Sequence, residues 1–359
     1  MSSNMSFNKD GQIKHKVELH VHLDGSIRIS TIWDLAKKKG VDLGYSSVEE
    51  LADALSIKTP TTLADFLKPF DIILPLIAGD EDAIERMAYE FCQDSADQGV
   101  LYSEVRYSPH LWMNSPSLND GPTLDPEQVV RAVNRGLSRG SNDFKIKIRS
   151  ILACFRGRPE WSESVLDLCL EFQSRGVVGI DIVGDEASCF AHPSDIEVFK
   201  RAAASGVHRT VHAGEAGPAA NVRTALTEMK AERIGHGYHV VDDAIIFVSC
   251  IEDKVHFEVC PYSSCLTGSV TVTGDEHPIV RFAKHKANFS VSRDDPTIIQ
   301  KTLDEEYSLL KTWGLEDKDL IRANINAVEN CFLPEDEKSQ LRNQLLEIYG
   351  ITENDLTAM

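Results

Sequence analysis

Short runs in which apolar residues alternate with polar ones, or stand unbroken, recur along the chain between longer stretches whose apolar residues return every three or four positions. The short runs are KVELHVHL, VLYSEVRY, KIKIRSILA, VVGIDIV, HRTVHAG, RIGHG, VHFEVC and ANFSVS, eight in all. Between them stand amphipathic patterns such as EDAIERMAYEFCQDSADQG, DPEQVVRAVNRGLSRG and SESVLDLCLEFQSRG, with glycine as a helix stop. Strands that alternate with helices predict a parallel sheet, and eight such units predict a (β/α)8 TIM-type barrel. A doubly wound open sheet is the competing α/β architecture, but no Gly-rich phosphate loop of the G-x-G-x-x-G or Walker type is present.

Two segments exceed a bare barrel. TTLADFLKPFDIILPLIAGD, after the first strand, sets Leu63, Phe66, Leu67 and Phe70 on one helical stripe, which reads as a helix on the core or as an apolar lid over a pocket. From DEEYSLLKTWG onward the pattern predicts three extra helices, a carboxy-terminal extension packed outside the barrel. There is no Pro/Ser/Gly-rich linker, low-complexity tract or repeat, so residues 1–359 are expected to form a single domain, with 1–14 a flexible lead.

A formal net charge of −19 over 359 residues repels phosphate backbones and makes nucleic acid a poor partner. The polar start MSSNMSFNKDGQIKHK lacks a signal-peptide core, and no run approaches the roughly 20 apolar residues of a membrane span, so a cytoplasmic protein without membrane insertion is expected. Eight cysteines lie scattered, and Cys260 and Cys265 are too far apart for a zinc-ribbon or redox spacing.

The strand ends carry the chemistry. His20, His22 and Asp24 alternate at the end of the first strand, and by alternation would share one face; the fourth strand ends at Gly184 in DIVGDE. The fifth ends in HAGE with His212 and Glu215, the sixth in GHG with His236, and the eighth in DDP with Asp294 and Asp295. Each has a bland reading alone: hydrogen-bonded core histidines, a turn aspartate at Asp24, an N-cap at Asp295 before Pro296, a structural turn at His236, a solvated carboxylate at Glu215. Together they place imidazoles and carboxylates from several strands on the carboxyl-end rim where barrel active sites sit. His20, His22, His212 and Asp294 supply a ligand set suited to one Zn2+ ion, which lowers the pKa of water toward neutrality. Glu215, His236 and Asp295 are left as proton-handling groups.

These motifs, in this order, resemble the adenosine deaminase family of the metal-dependent amidohydrolase superfamily. The match runs from KVELHVHLDGSI through TLADFLKPFD, EVRYSPHL, RSILAC, GDE, HRTVHAGE, ERIGHGYH, HFEVCP, SSCLTG and DDP to NINAVENCFLPEDEK. The resemblance implies hydrolysis of adenosine and 2′-deoxyadenosine to the inosines and ammonia, a step of purine salvage, with one zinc ion per chain held by His20, His22, His212 and Asp294. It implies that Glu215 protonates purine N1, that His236 orients the attacking water and takes its proton, and that Asp295 contacts N7. Gly184 would contact N3 through its backbone amide and Asp24 the ribose 5′-hydroxyl, with His22 also facing the substrate and Leu63, Phe66, Leu67 and Phe70 forming an apolar gate. A monomer is expected.

Two departures from the family pattern stand out. SVSRDDP carries Ser292 and Arg293 where Asn and Thr are expected, and alternation turns Arg293 toward a neighbouring helix rather than the zinc. The loop LWMNSPSLNDGPTLDPEQ is shorter than the vertebrate form. Competing readings are a deaminase of a related adenine compound, or an inactive nucleoside-binding or protein-interaction module on the same fold. A cytidine-type zinc deaminase would need His-x-Glu and Pro-Cys-x-x-Cys, and neither occurs.

Overall fold

The computed structural model describes residue 6 and residues 13–114, 123–270 and 277–358. Most of the expected flexible lead and the middle of the 111–128 loop therefore lie outside the described residues.

Eight strands follow one another around a single sheet in sequence order: β1 (Lys16–His22), β2 (Val100–Tyr107), β3 (Lys147–Phe155), β4 (Val177–Val183), β5 (His208–Ala213), β6 (Arg233–His236), β7 (His256–Val259) and β8 (Asn288–Val291). Every neighbouring pair is parallel, and β8 returns to β1 through a bridge between Asp294 and Val21, giving a (β/α)8 barrel. Apolar runs predict these strands well because both faces are buried, one by the barrel interior and one by helices. Val105, Ile180, Val211, Ile234, Phe257 and Val291 join helix residues such as Val133, Phe199 and Val222 in one continuous core. Among the described residues, no helix is long and apolar enough to cross a membrane.

Local chemistry sets the helix boundaries. Asp125 and Gln128 form a reciprocal capping box with Pro126 at the first turn of the helix Pro126–Phe144. That helix runs past Gly140, where the sequence pattern ends. Gly136 and Gly140 lie where it presses on the helix Glu81–Asp97: an added Cβ at Gly136 would meet the Glu85 carbonyl oxygen at 2.3 Å, and one at Gly140 the Cys92 Cβ at 2.5 Å. Here glycine permits close packing rather than a stop.

Two expectations change at the additions to the barrel. The Leu63–Phe70 stripe is two helices, Leu63–Phe66 and Phe70–Ile77, broken at Leu67–Pro69. The carboxy-terminal run holds four helices rather than three, and Asp317–Asn330 packs on the outside of the barrel, as expected. Asn324 Oδ1 accepts the Val17 amide of β1 and Asn326 Nδ2 donates to the Phe289 carbonyl of β8, so this helix covers the joint between the first and last strands. Glu335–Tyr349 and Glu353–Ala358 follow it.

Candidate active site

A cavity of about 230 Å³ opens at the carboxyl ends of the strands, lined by His22, Asp24, Gly184, His212, Glu215, His236, Asp294 and Asp295. Leu63, Phe66, Leu67 and Phe70 line it from the two short helices, with Leu74, Leu111, Phe155 and Val183 adding further apolar wall. Asp71, Ser108 and Thr267 also reach it and were not singled out by the sequence.

Four side chains converge at its floor. The Nε2 atoms of His20 and His22 lie 3.3 and 3.2 Å from Asp294 Oδ1, and His22 Nε2 is 3.3 Å from His212 Nε2. One ligand atom from each of His20, His22, His212 and Asp294 falls within 4.8 Å of the others. His20 Nε2 is buried yet makes no hydrogen bond. Imidazole nitrogens and a carboxylate aimed at one another without intervening donors fit a divalent cation. A second set, His20, His236, Cys260 and Asp294, shares two of these residues.

The strand geometry is not the strict alternation read from the sequence. Against β2, the three steps from Glu18 to Val21 match the two from Ser103 to Val105, so a bulge turns Glu18 away from the histidine face. Asp24 lies beyond the strand, in a short 3-10 turn, Asp24–Ser26.

Behind the histidines stands a buried charge lattice that the sequence reading missed. His20 Nδ1 lies 2.7 Å from Glu258 Oε2, and His212 Nδ1 lies 2.9 Å from Asp181 Oδ2. Arg106 reaches both carboxylates, donating to Asp181 at 2.6 Å and to Glu258 at 2.7 Å. Such partners fix ring orientation and leave Nε2 for the metal.

Glu186 is a second missed residue. Its carboxylate accepts the backbone N–H groups of Gly214, Glu215, Ala216 and Gly217 at 2.8 to 3.1 Å, and Asn221 Nδ2 at 2.8 Å. The loop that carries Glu215 is thereby wrapped around one charge. Two glycines make room nearby: an added Cβ at Gly235 would meet His20 Cε1 at 2.8 Å, and one at Gly25 would meet Asp295 Oδ1 at 1.8 Å.

Burial, with Asp294 and Glu186 nearby, pushes the Glu215 carboxyl well above the ordinary range. Asp295 is raised in the same way by burial, Asp294 and Asp24. Burial works against ionisation of Asp294, but His236, His20 and His22 outweigh it and hold its carboxyl well below the ordinary range. Burial holds His236 well below the usual histidine value and His212 at about 3. His236 Nε2 lies 3.7 Å from Glu215 Oε2 and 3.9 Å from Asp294 Oδ2. His236 Nδ1, Asp24 Oδ1 and Asp295 Oδ1 are buried without hydrogen-bond partners. Around the floor of the cavity, burial and neighbouring charges thus push the Glu215 and Asp295 carboxyls up, the His212 and His236 imidazoles down and the Asp294 carboxyl down.

Arg293 turns away from this cavity and pairs with Glu18 of β1, while Ser292 Oγ accepts the Leu19 and His20 amides.

The family model for adenosine deaminase matches residues 15–348. A curated adenosine deaminase of Danio rerio is 46% identical over 345 residues, covering 94% of this chain and 96% of its own length. Among solved structures, an adenine deaminase from Arthrobacter aurescens superposes with a TM-score of 0.81 at 25% identity, over 92% of this chain and 98% of its own. An Arabidopsis N6-mAMP deaminase gives 0.79 at 27% identity, over 96% and 99%. The site geometry and the length of these matches lead to one assignment: the chain belongs to the adenosine deaminase family.

Proposed function

We propose that the protein hydrolyses adenosine and 2′-deoxyadenosine to inosine and 2′-deoxyinosine with release of ammonia, holding one zinc ion on His20, His22, His212 and Asp294. The observation that carries this reading is the convergence of those four ligand atoms beneath a cavity whose wall holds Glu215, its carboxyl pushed up by burial. When bound, the ion supplies the Lewis acidity that makes water a nucleophile at neutral pH.

The remaining roles follow from the base itself. Adenine offers three ring acceptors, N1, N3 and N7. Glu215 and Asp295, both held protonated, donate to N1 and N7, and the backbone N–H of Gly184 donates to N3. As water adds to C6, Glu215 gives its proton to N1 and relieves the charge building on the ring. His236, neutral and buried, orients the water and takes its proton. Asp24 receives the ribose 5′-hydroxyl, and His22 borders the substrate as well as the ion. Leu63, Phe66, Leu67 and Phe70 exclude bulk water.

Among the described residues, no Lys or Arg lines the cavity, whereas Asp24 and Asp71 do. That lining opposes a 5′-phosphate and favours a nucleoside over a nucleotide. The test is the ultraviolet change on mixing protein with adenosine, AMP or adenine, alongside a chelated sample. Chelator-sensitive conversion of adenosine, with AMP and adenine left largely unchanged, is expected. Conversion of AMP or adenine in preference to adenosine would replace the substrate, and no conversion by zinc-loaded protein would favour a binding module.

A further inference from the structure

The barrel's last joint is held largely by side chains. Between β8 and β1 the backbone contributes two hydrogen bonds, His22 N to Asp294 O at 2.8 Å and Asp294 N to His20 O at 3.1 Å. The rest of the joint is side chain. Ser292 Oγ accepts the Leu19 and His20 amides at 3.3 and 3.0 Å, at the bulge. Glu18 Oε1 accepts the Arg293 amide at 3.0 Å and its Nε at 2.9 Å, and Glu18 Oε2 accepts Nη2 at 2.6 Å. Both partners are buried, Glu18 fully and Arg293 to 2% exposure.

Asp294, the next residue, has φ of +64°. This left-handed conformation is less favoured for a residue with a side chain, and at buried Asp294 the packed neighbours hold it in place. On one side of Asp294 stands the bridge to Val21, and on the other the forked grip of Glu18 on both the amide and the guanidinium of Arg293. A side chain at 293 without a hydrogen-bond donor would leave the Glu18 carboxylate buried with only the amide to hold.

We propose that Glu18 and Arg293 are positioning residues that clamp Asp294 in its left-handed conformation and thereby govern how slowly the site gives up its metal. The proposal rests on the reading of His20, His22, His212 and Asp294 as ligands. The clamp touches neither substrate nor metal; it works by keeping the Asp294 carboxylate aimed at His20 and His22 before the ion arrives.

The experiment follows zinc leaving the loaded protein for a colorimetric chelator, well below the unfolding temperature and with folding checked by circular dichroism. Arg293→Ala is expected to release zinc about 10- to 100-fold faster than the parent. Arg293→Lys, which keeps the charge but loses the fork, should fall between them. Leu345→Ala, a buried substitution in the remote helix Glu335–Tyr349, should lower stability and leave release unchanged. Parent-like release from a folded Arg293→Ala protein, or equal acceleration by Leu345→Ala, would overturn the clamp; if Arg293→Ala does not fold, parent-like release from Arg293→Lys would do so. A parent that holds no more zinc than His212→Ala would remove the ligand reading, and the clamp with it.

Discussion

In the proposed reaction Glu215 carries a transferable proton at a pH where an ordinary glutamate has lost its own, and burial beside Asp294 and Glu186 raises its carboxyl in that direction. Because the raised group stays protonated below its folded pKa and ionises only above it, kcat should hold level through neutrality and fall on the alkaline side. A kcat profile from about pH 5 to 10 checks the sign, since an ordinary glutamate acid would lose activity already at the acidic end. Glu215→Gln keeps the shape and removes the proton: turnover should drop by roughly 10²- to 10⁴-fold while metal content stays at the parent level. Loss of metal in that variant would reassign Glu215 to the ligand set. Glu186→Gln leaves one acceptor oxygen facing four backbone amides and an asparagine amide. It should reduce kcat about tenfold or more through the misplaced Glu215, with Glu186→Asp recovering part of the loss. His20, His22, His212, Glu215, His236, Asp294 and Asp295 were legible because polar groups at the ends of apolar runs need a reason to be there. Asp181 and Glu258 gave a similar signal, single charges inside VVGIDIV and VHFEVC, which the reading passed over. Glu186 gave none, because an acidic residue in a loop is ordinarily solvated.

At the scale of elements, glycine does two different jobs that sequence cannot separate. Gly99 and Gly176 follow helical segments with φ of +76° and +106°, while Gly136 and Gly140 lie inside a helix and let another come close. Gly136→Val should therefore destabilise the fold by about 1–3 kcal/mol in a urea melt, with kcat unchanged in the folded protein. Gly235→Ala should act the other way: its Cβ would press on His20 Cε1, so metal content measured on the purified protein should fall. Strands were readable from their apolar runs. That the helix Asp317–Asn330 covers the joint between β1 and β8 could not be read, because a pattern of period 3.6 states which face is apolar, not which strands that face will cover. The break at Leu67–Pro69 lay in plain view, since a proline in the middle of a stripe interrupts it.

For the whole molecule, the net charge of −19 and a cavity without Lys or Arg among its described lining agree in disfavouring anionic substrates. The proposed ligands come from β1, β5 and the end of β8, so a bound ion links elements far apart in the chain. Removing it should lower the thermal midpoint, and re-adding zinc should restore it by an amount that grows with free metal. A midpoint indifferent to chelation would argue that the barrel closes without the ion's help. Such long-range closure is the least legible level of all, because neither the bulge in β1 nor the Glu18–Arg293 pair leaves a local trace. It also fixes an order of events during synthesis. A nascent chain carries His20 and His22 long before Asp294, which is added about 270 residues later. A ribosome that stops before that point therefore yields a chain lacking one of the four proposed ligands, and such a fragment is expected to retain no metal.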